Sequence, residues 1–208
     1  MRTIAPKLFL ALLVGLLPVL GSCQDEFVKQ VKNYEKDIAE NQQHALVTLL
    51  NIQIAQTLFY KKRVNDRDNN GIPEFGDLAE INKAQMLPGP KKGKAPVMDG
   101  NHLLQNGYVF KILLPSNTKR RQFDWAALAW PLMYNQSGTQ AYLMQANGVI
   151  YANPNDGTKD LFSEEGLDGP TIKQVYDNPD WLSRFKEENW EMLDLTELKA
   201  QLKKEMEK

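Results

Sequence analysis

Residues 26 to 62 contain neither proline nor glycine, and this stretch constrains the fold more than any other part of the chain. Apolar residues fall at Phe27, Val31, Tyr34, Ile38, Ala45, Leu49, Ile52 and Phe59, mostly three, four or seven positions apart. That repeat gathers side chains on one face of an α-helix, so the spacing predicts one long helix. Its first half is polar around a narrow stripe (Lys29, Lys32, Glu35, Lys36, Asp37, Glu40), as a solvated stalk would be. Its second half, Ala45 to Tyr60, is apolar over a much wider face and is expected to pack on a domain. His44, at the junction, reads as a boundary residue rather than a ligand.

The segment before the helix concerns location. Arg2 and Lys7 precede Leu8 to Leu20, 13 residues without a charge. That is signal-peptide length and too short to cross a bilayer as a helix. The run closes on Leu20-Gly21-Ser22-Cys23, which resembles a bacterial lipobox, with cleavage expected between Ser22 and Cys23. Small residues fit a narrow protease site, and a thiol can carry thioether-linked diacylglycerol, with palmitate among the acyl chains. Cys23 is the only cysteine, so it cannot form an intrachain disulfide. The plain alternatives are ordinary signal cleavage near Gly21-Ser22 and an uncleaved N-terminal anchor. A chain starting at Cys23 loses two basic residues and no acidic one, so the net charge moves from -1 to -3. Nothing in that balance points to nucleic acid.

Beyond the helix, residues 65 to 77 are turn-rich, and Asp77 is expected to cap a short helix through about Ala84. Residues 87 to 106 read as loop, with a lysine patch (Lys91, Lys92, Lys94) and Asp99-Gly100-Asn101. Strand signals follow. Gly107 to Leu114 alternates; Phe123 to Tyr134 is an apolar run that Pro131 limits to an edge, bulge or strand end. Gln140 to Ala146 and Val149 to Ala152 flank Asn147-Gly148, a hairpin signal of the type I′ kind. Residues 116 to 122 and 135 to 139 read as hairpin loops, giving an antiparallel meander of three or four strands. Short helices are expected over Thr171 to Tyr176 and Asp180 to Glu188, and a Lys/Glu-rich helix over Leu195 to Lys208.

A long helix, a connecting loop and an antiparallel meander resemble the layout of a type IV pilin or a type II secretion pseudopilin. The resemblance covers about residues 45 to 152. It is carried by Ile52-Gln-Ile-Ala-Gln-Thr-Leu-Phe-Tyr60, Asp66-Arg-Asp-Asn-Asn-Gly-Ile-Pro73, Gly107-Tyr-Val-Phe-Lys-Ile-Leu-Leu114, Ala126-Ala-Leu-Ala-Trp-Pro131 and Asn147-Gly-Val-Ile-Tyr151. It implies an α+β fold, pilin-like, with the long N-terminal helix packed on the meander. It does not imply polymerisation, because the pilin processing site is absent and a lipobox stands in its place. The resulting division is a signal peptide over 1–22, a helical stalk over 23–44, a pilin-like domain over 45–153 and a helical C-terminal extension over 154–208.

Asp66-x-Asp68-x-Asn70-Gly71 has the first half of an EF-hand calcium loop. Oxygens at alternate positions can converge on a hard cation, and the glycine permits the sharp turn. Continuing the count adds the Ile72 carbonyl, Glu74 and Asp77, although Pro73 and the short Asp77 depart from the pattern. The competing reading is an Asx-rich turn without metal. Trp125, Trp130, Tyr108 and Tyr142 could line a ligand cleft, but aromatics at strand spacing more often pack in a core. No nucleophile-base motif is present. His102 stands beside Asp99 without a matching serine motif, and Glu164-Glu165 and Glu187-Glu188 read as solvated charge. The expectation is therefore a non-catalytic lipoprotein of the cell envelope, held on the periplasmic face of a membrane by its lipid. It would contact envelope or secretion proteins and need no cofactor beyond a candidate structural calcium. The alternative is an envelope lipoprotein that binds or handles a small ligand.

Overall fold

The computed structural model describes residues 37–87, 96–154, 190–196 and 200. The leader, Cys23, the lysine patch and the segments 171–176 and 180–188 lie outside the described residues. The predicted long helix is present over 37–61, here α1. Ala45, Leu49, Ile52, Ala55 and Phe59, spaced three or four apart, are its buried stripe, each at most 1% exposed. The second helix, α2, spans Leu78–Lys83 behind a capping box: Asp77 accepts from the Glu80 backbone N–H, and Glu80 accepts from that of Asp77.

The expected meander of three or four strands is corrected by the structure. Among the described residues seven antiparallel strands form one sheet in sequence order, so the α+β class stands while the pilin-like architecture drawn from the resemblance does not. They are β1 (Val97–Asp99), β2 (His102–Gln105), β3 (Tyr108–Leu113), β4 (Ala126–Pro131), β5 (Gln140–Gln145), β6 (Ile150–Pro154) and β7 (Glu191–Met192). Two of the added strands come from the stretch read as loop. Gly100, with φ +57°, turns β1 into β2, and Asn106 and Gly107, at +48° and +75°, turn β2 into β3. Both central residues of that second turn have positive φ, and Gln105 pairs with Tyr108 across it, which makes it the two-residue I′ hairpin. At the Asn147-Gly148 hairpin only Gly148 has positive φ, so that turn is not type I′. Its Gly148 N–H donates to the Gln145 carbonyl, and the Gln145 N–H to the Val149 carbonyl, as in a three-residue loop closed by a left-handed glycine. The seventh strand corrects the wholly helical reading of the C-terminal extension: Glu191 and Met192 pair with Ala152 and Tyr151.

Strand β4 is central, and all six of its residues are buried. Pro131 sits at its end, opposite Tyr108, where the missing N–H breaks no inner rung. Ala127 and Ala129 face the helices, in one cluster with Leu49, Ile52, Phe59, Leu78, Ile81, Phe110 and Met144. Ala126, Leu128 and Trp130 point the other way, into a second cluster with Val109, Ala141, Leu143 and Trp190. Burial on both faces explains why β4 reads as a continuous apolar run rather than an alternating one.

Candidate functional site

Residues 62–77 leave the end of α1 and return to α2. Their shape is set by polar groups rather than by apolar burial. Glu74 is fully buried, and a buried carboxylate needs a charged partner. Arg67 supplies it: its Nη1 lies 2.6 Å from Glu74 Oε2, while its Nη2 lies 2.6 and 2.5 Å from the two Glu80 oxygens. The Arg67 backbone N–H also donates to Glu74 Oε1 at 3.1 Å. Partial burial opposes the guanidinium charge, but hydrogen bonds to Glu74 and Glu80 and their charges outweigh it and hold Arg67 above the ordinary arginine value. Asn65 Nδ2 donates to Glu80 Oε1 at 2.8 Å, closing the network on α2.

The six residues of the candidate calcium set are divided between separate tasks. Asp66 accepts from the backbone N–H groups of Asn70 and Gly71, at 3.1 and 2.9 Å. Asp68 accepts from the Asn70 amide side chain at 2.8 Å, and Asn70 Oδ1 accepts from the Ile72 N–H at 2.7 Å. The Asn70 N–H to Asp68 Oδ1 bond, at 3.3 Å, and the Ile72 N–H to Asn70 Oδ1 bond are Asx turns. Glu74 is committed to Arg67 and Asp77 to the cap of α2. Among the described residues no group of three or more His, Cys, Asp or Glu side chains is placed to hold a metal ion.

The four aromatics are core residues. Trp125, Trp130, Tyr108 and Tyr142 are each at most 2% exposed. The Tyr108 hydroxyl donates to the Gln140 carbonyl and the Tyr142 hydroxyl to Gln140 Oε1, both at 3.0 Å, with the two rings stacked 6.0 Å apart. Burial pushes both phenols up, out of reach of proton transfer near neutrality. His102 lies in β2 rather than a loop, paired opposite Asp99, with its ring edge-on to Trp130 at 6.1 Å. A shallow groove between α1 and the sheet is lined by Thr48, Asn51, Ile52, Leu87, Pro96, Leu103 and Gln105. Glu164, Glu165, Glu187 and Glu188 lie outside the described residues.

The ion-paired Glu74 is what the sequence reading missed. The sequence reading sets Glu74 among the candidate calcium ligands, and Arg67, seven residues away in a loop, is at no spacing that marks a pair. No family model, curated protein or solved structure matches this chain. Among the described residues no helix is long and apolar enough to cross a membrane.

Proposed function

We propose that the chain is a lipid-anchored protein of the cell envelope whose folded part serves as an interaction module. The observation that carries this reading is the placement of the only cysteine, Cys23, directly after an apolar leader and Gly21-Ser22. Thirteen residues separate it from residue 37. As the helical stalk expected from the sequence they would span about 20 Å, which sets the folded part off a bilayer surface. Acyl chains at Cys23 contribute about 0.8 kcal/mol per buried methylene, so two or three give stable anchoring.

The burial of the aromatics favours protein-protein interaction over the binding or handling of a small ligand. A ligand cleft needs aromatic walls open to solvent, and here those rings fill the core. The test is to replace Cys23 with Ser and follow membrane partitioning, together with mass spectrometry of the mature N-terminus. The reading expects diacylglyceryl-modified Cys23 in the membrane fraction and release of the Cys23→Ser protein. An unmodified Cys23, or a mature terminus elsewhere, overturns it.

A further inference from the structure

We propose that Asn70-Gly71 is a self-modifying site, at which the folded loop converts Asn70 to aspartate and isoaspartate without an enzyme. This does not rest on the anchor at Cys23. The chain has three Asn-Gly pairs, Asn70-Gly71, Asn106-Gly107 and Asn147-Gly148. In each the glycine has no side chain to shield its nitrogen, so that nitrogen can reach the carboxamide carbon of the asparagine before it. What separates the first pair is the group that meets each reacting atom.

Three atoms change charge in this reaction, and at Asn70-Gly71 each lies within hydrogen-bond distance of the group it needs. The attacking nitrogen must lose its proton, and the Gly71 N–H donates to Asp66 Oδ2 at 2.9 Å, a carboxylate placed as a general base. The carboxamide oxygen must take up negative charge, and Asn70 Oδ1 accepts from the Ile72 N–H at 2.7 Å, as an oxyanion does from a backbone donor. The departing nitrogen turns positive as it is protonated, and Asn70 Nδ2 lies 2.8 Å from Asp68 Oδ2. The other two pairs lack such a base. The Gly148 N–H donates to the Gln145 carbonyl at 2.8 Å, and a carbonyl takes no proton near neutrality. Gly107 lies against Ser137 and Asn41, neither of which is a base.

In the step itself, Gly71 N bonds to Asn70 Cγ as its proton passes to Asp66. The Cγ–Nδ2 bond then breaks, Asp66 returns the proton to Nδ2, and ammonia leaves. Water opens the succinimide ring at either carbonyl carbon and gives aspartate or isoaspartate. The product exchanges the Asn70 donor to Asp68 for a carboxylate beside it, so repulsion between like charges loosens the turn between α1 and α2.

The test is to hold the folded chain at neutral pH and follow all three pairs by peptide mapping, which resolves the amide, aspartyl and isoaspartyl forms. Asn70 is expected to react roughly tenfold faster than Asn106 and Asn147, and Asp66→Asn, which keeps an acceptor but no base, to slow it roughly tenfold. Thermal melts confirm that the variant folds, and unfolding in urea should bring the three pairs to similar rates. A pH series on the unaltered chain separates a base from a merely structural role without any variant. The Asn70 rate should stay level from pH 6 to 8, since a carboxylate acts without hydroxide, while the rates at the other pairs climb. An Asn70 rate no greater than theirs, one that climbs with hydroxide as theirs do, or one that Asp66→Asn leaves unchanged or raises, overturns the proposal and makes these hydrogen bonds a protection of the loop.

Discussion

Phe59 and Glu74 are equally buried, each with no exposed surface, yet opposite forces keep them inside. Phe59 belongs to the cluster between α1 and the sheet, where removal of apolar area from water is the driving force. Glu74 is polar, and its buried carboxyl oxygens are met by the Arg67 side chain at 2.6 Å and the Arg67 backbone N–H at 3.1 Å. The first kind of burial is tolerant of detail, since any side chain of similar volume gains most of the same energy. The second is conditional: removing one partner strands the other without solvent.

The largest expected effect tests the apolar side of this contrast. Phe59→Ala deletes a fully buried ring and should cost about 3–5 kcal/mol of unfolding free energy, whereas Phe59→Leu should cost far less. Urea denaturation reads both. Comparable losses from the two would mean that shape, not apolar area, sustains the cluster.

On the polar side, Glu74→Ala should cost about 2–3 kcal/mol, below the figure for a fully buried pair because Arg67 keeps 28% of its side-chain surface in water. The sharper experiment is the double-mutant cycle with Arg67→Met. Arg67→Met strands the buried Glu74, a cost that disappears once Glu74 is also removed, whereas Glu74→Ala leaves Arg67 paired with Glu80, so the double mutant should be clearly more stable than the two losses added together. Simple additivity would show that the pair is not coupled and that Glu74 is retained by its backbone contacts.

A third region combines both forces. Gly138 lies against the Tyr108 ring and hydroxyl, and an added Cβ there would collide with them. Gly138→Ala should therefore cost about 1–3 kcal/mol by overpacking. The same buried phenols make stability depend on alkaline pH. Burial raises the folded-state values of Tyr108 and Tyr142 above that of an unfolded tyrosine, about 10. Above that pH the unfolded chain gives up protons that the folded chain keeps, so stability is complete below pH 10 and declines as pH rises beyond it. Tyr142→Phe should flatten this decline in a series of melts between pH 9 and 11. An unchanged slope would assign the decline to other groups.

The contrast also explains what could be read from the residues alone. Helix α1 was legible because its stripe repeats over four turns, and α2 because Asp77 is a residue type that caps helix N-termini. Strands β3 to β6 were legible as apolar runs separated by turn residues. Strands β1, β2 and β7 were not. Val97–Asp99, His102–Gln105 and Glu191–Met192 are two to four residues long, too short for a period to emerge, and β7 meets β6 from almost forty residues downstream. They exist through tertiary pairing, as strand preference generally does. The candidate site was half legible. The Asp66-Asp68-Asn70 pattern marks a sharp turn correctly, but nothing in a sequence says whether its oxygens face a cation or the chain's own amides.

That last ambiguity gives the smallest expected effect. For calcium to occupy the loop in the EF-hand manner, the Asp66, Asp68 and Asn70 oxygens must turn their remaining lone pairs toward one point, and Glu74 must give up Arg67. Loss of that ion pair strands part of the Arg67 charge and offsets much of the ion's binding energy before any net gain. Millimolar calcium should then move the melting temperature by less than about 1 °C, since a ligand stabilises only through its affinity for the folded state. A magnesium-matched control removes the general effect of ionic strength. A rise of several degrees that Asp68→Asn abolishes would show that the loop reorganises around a cation, and that Arg67 holds Glu74 only while the ion is absent.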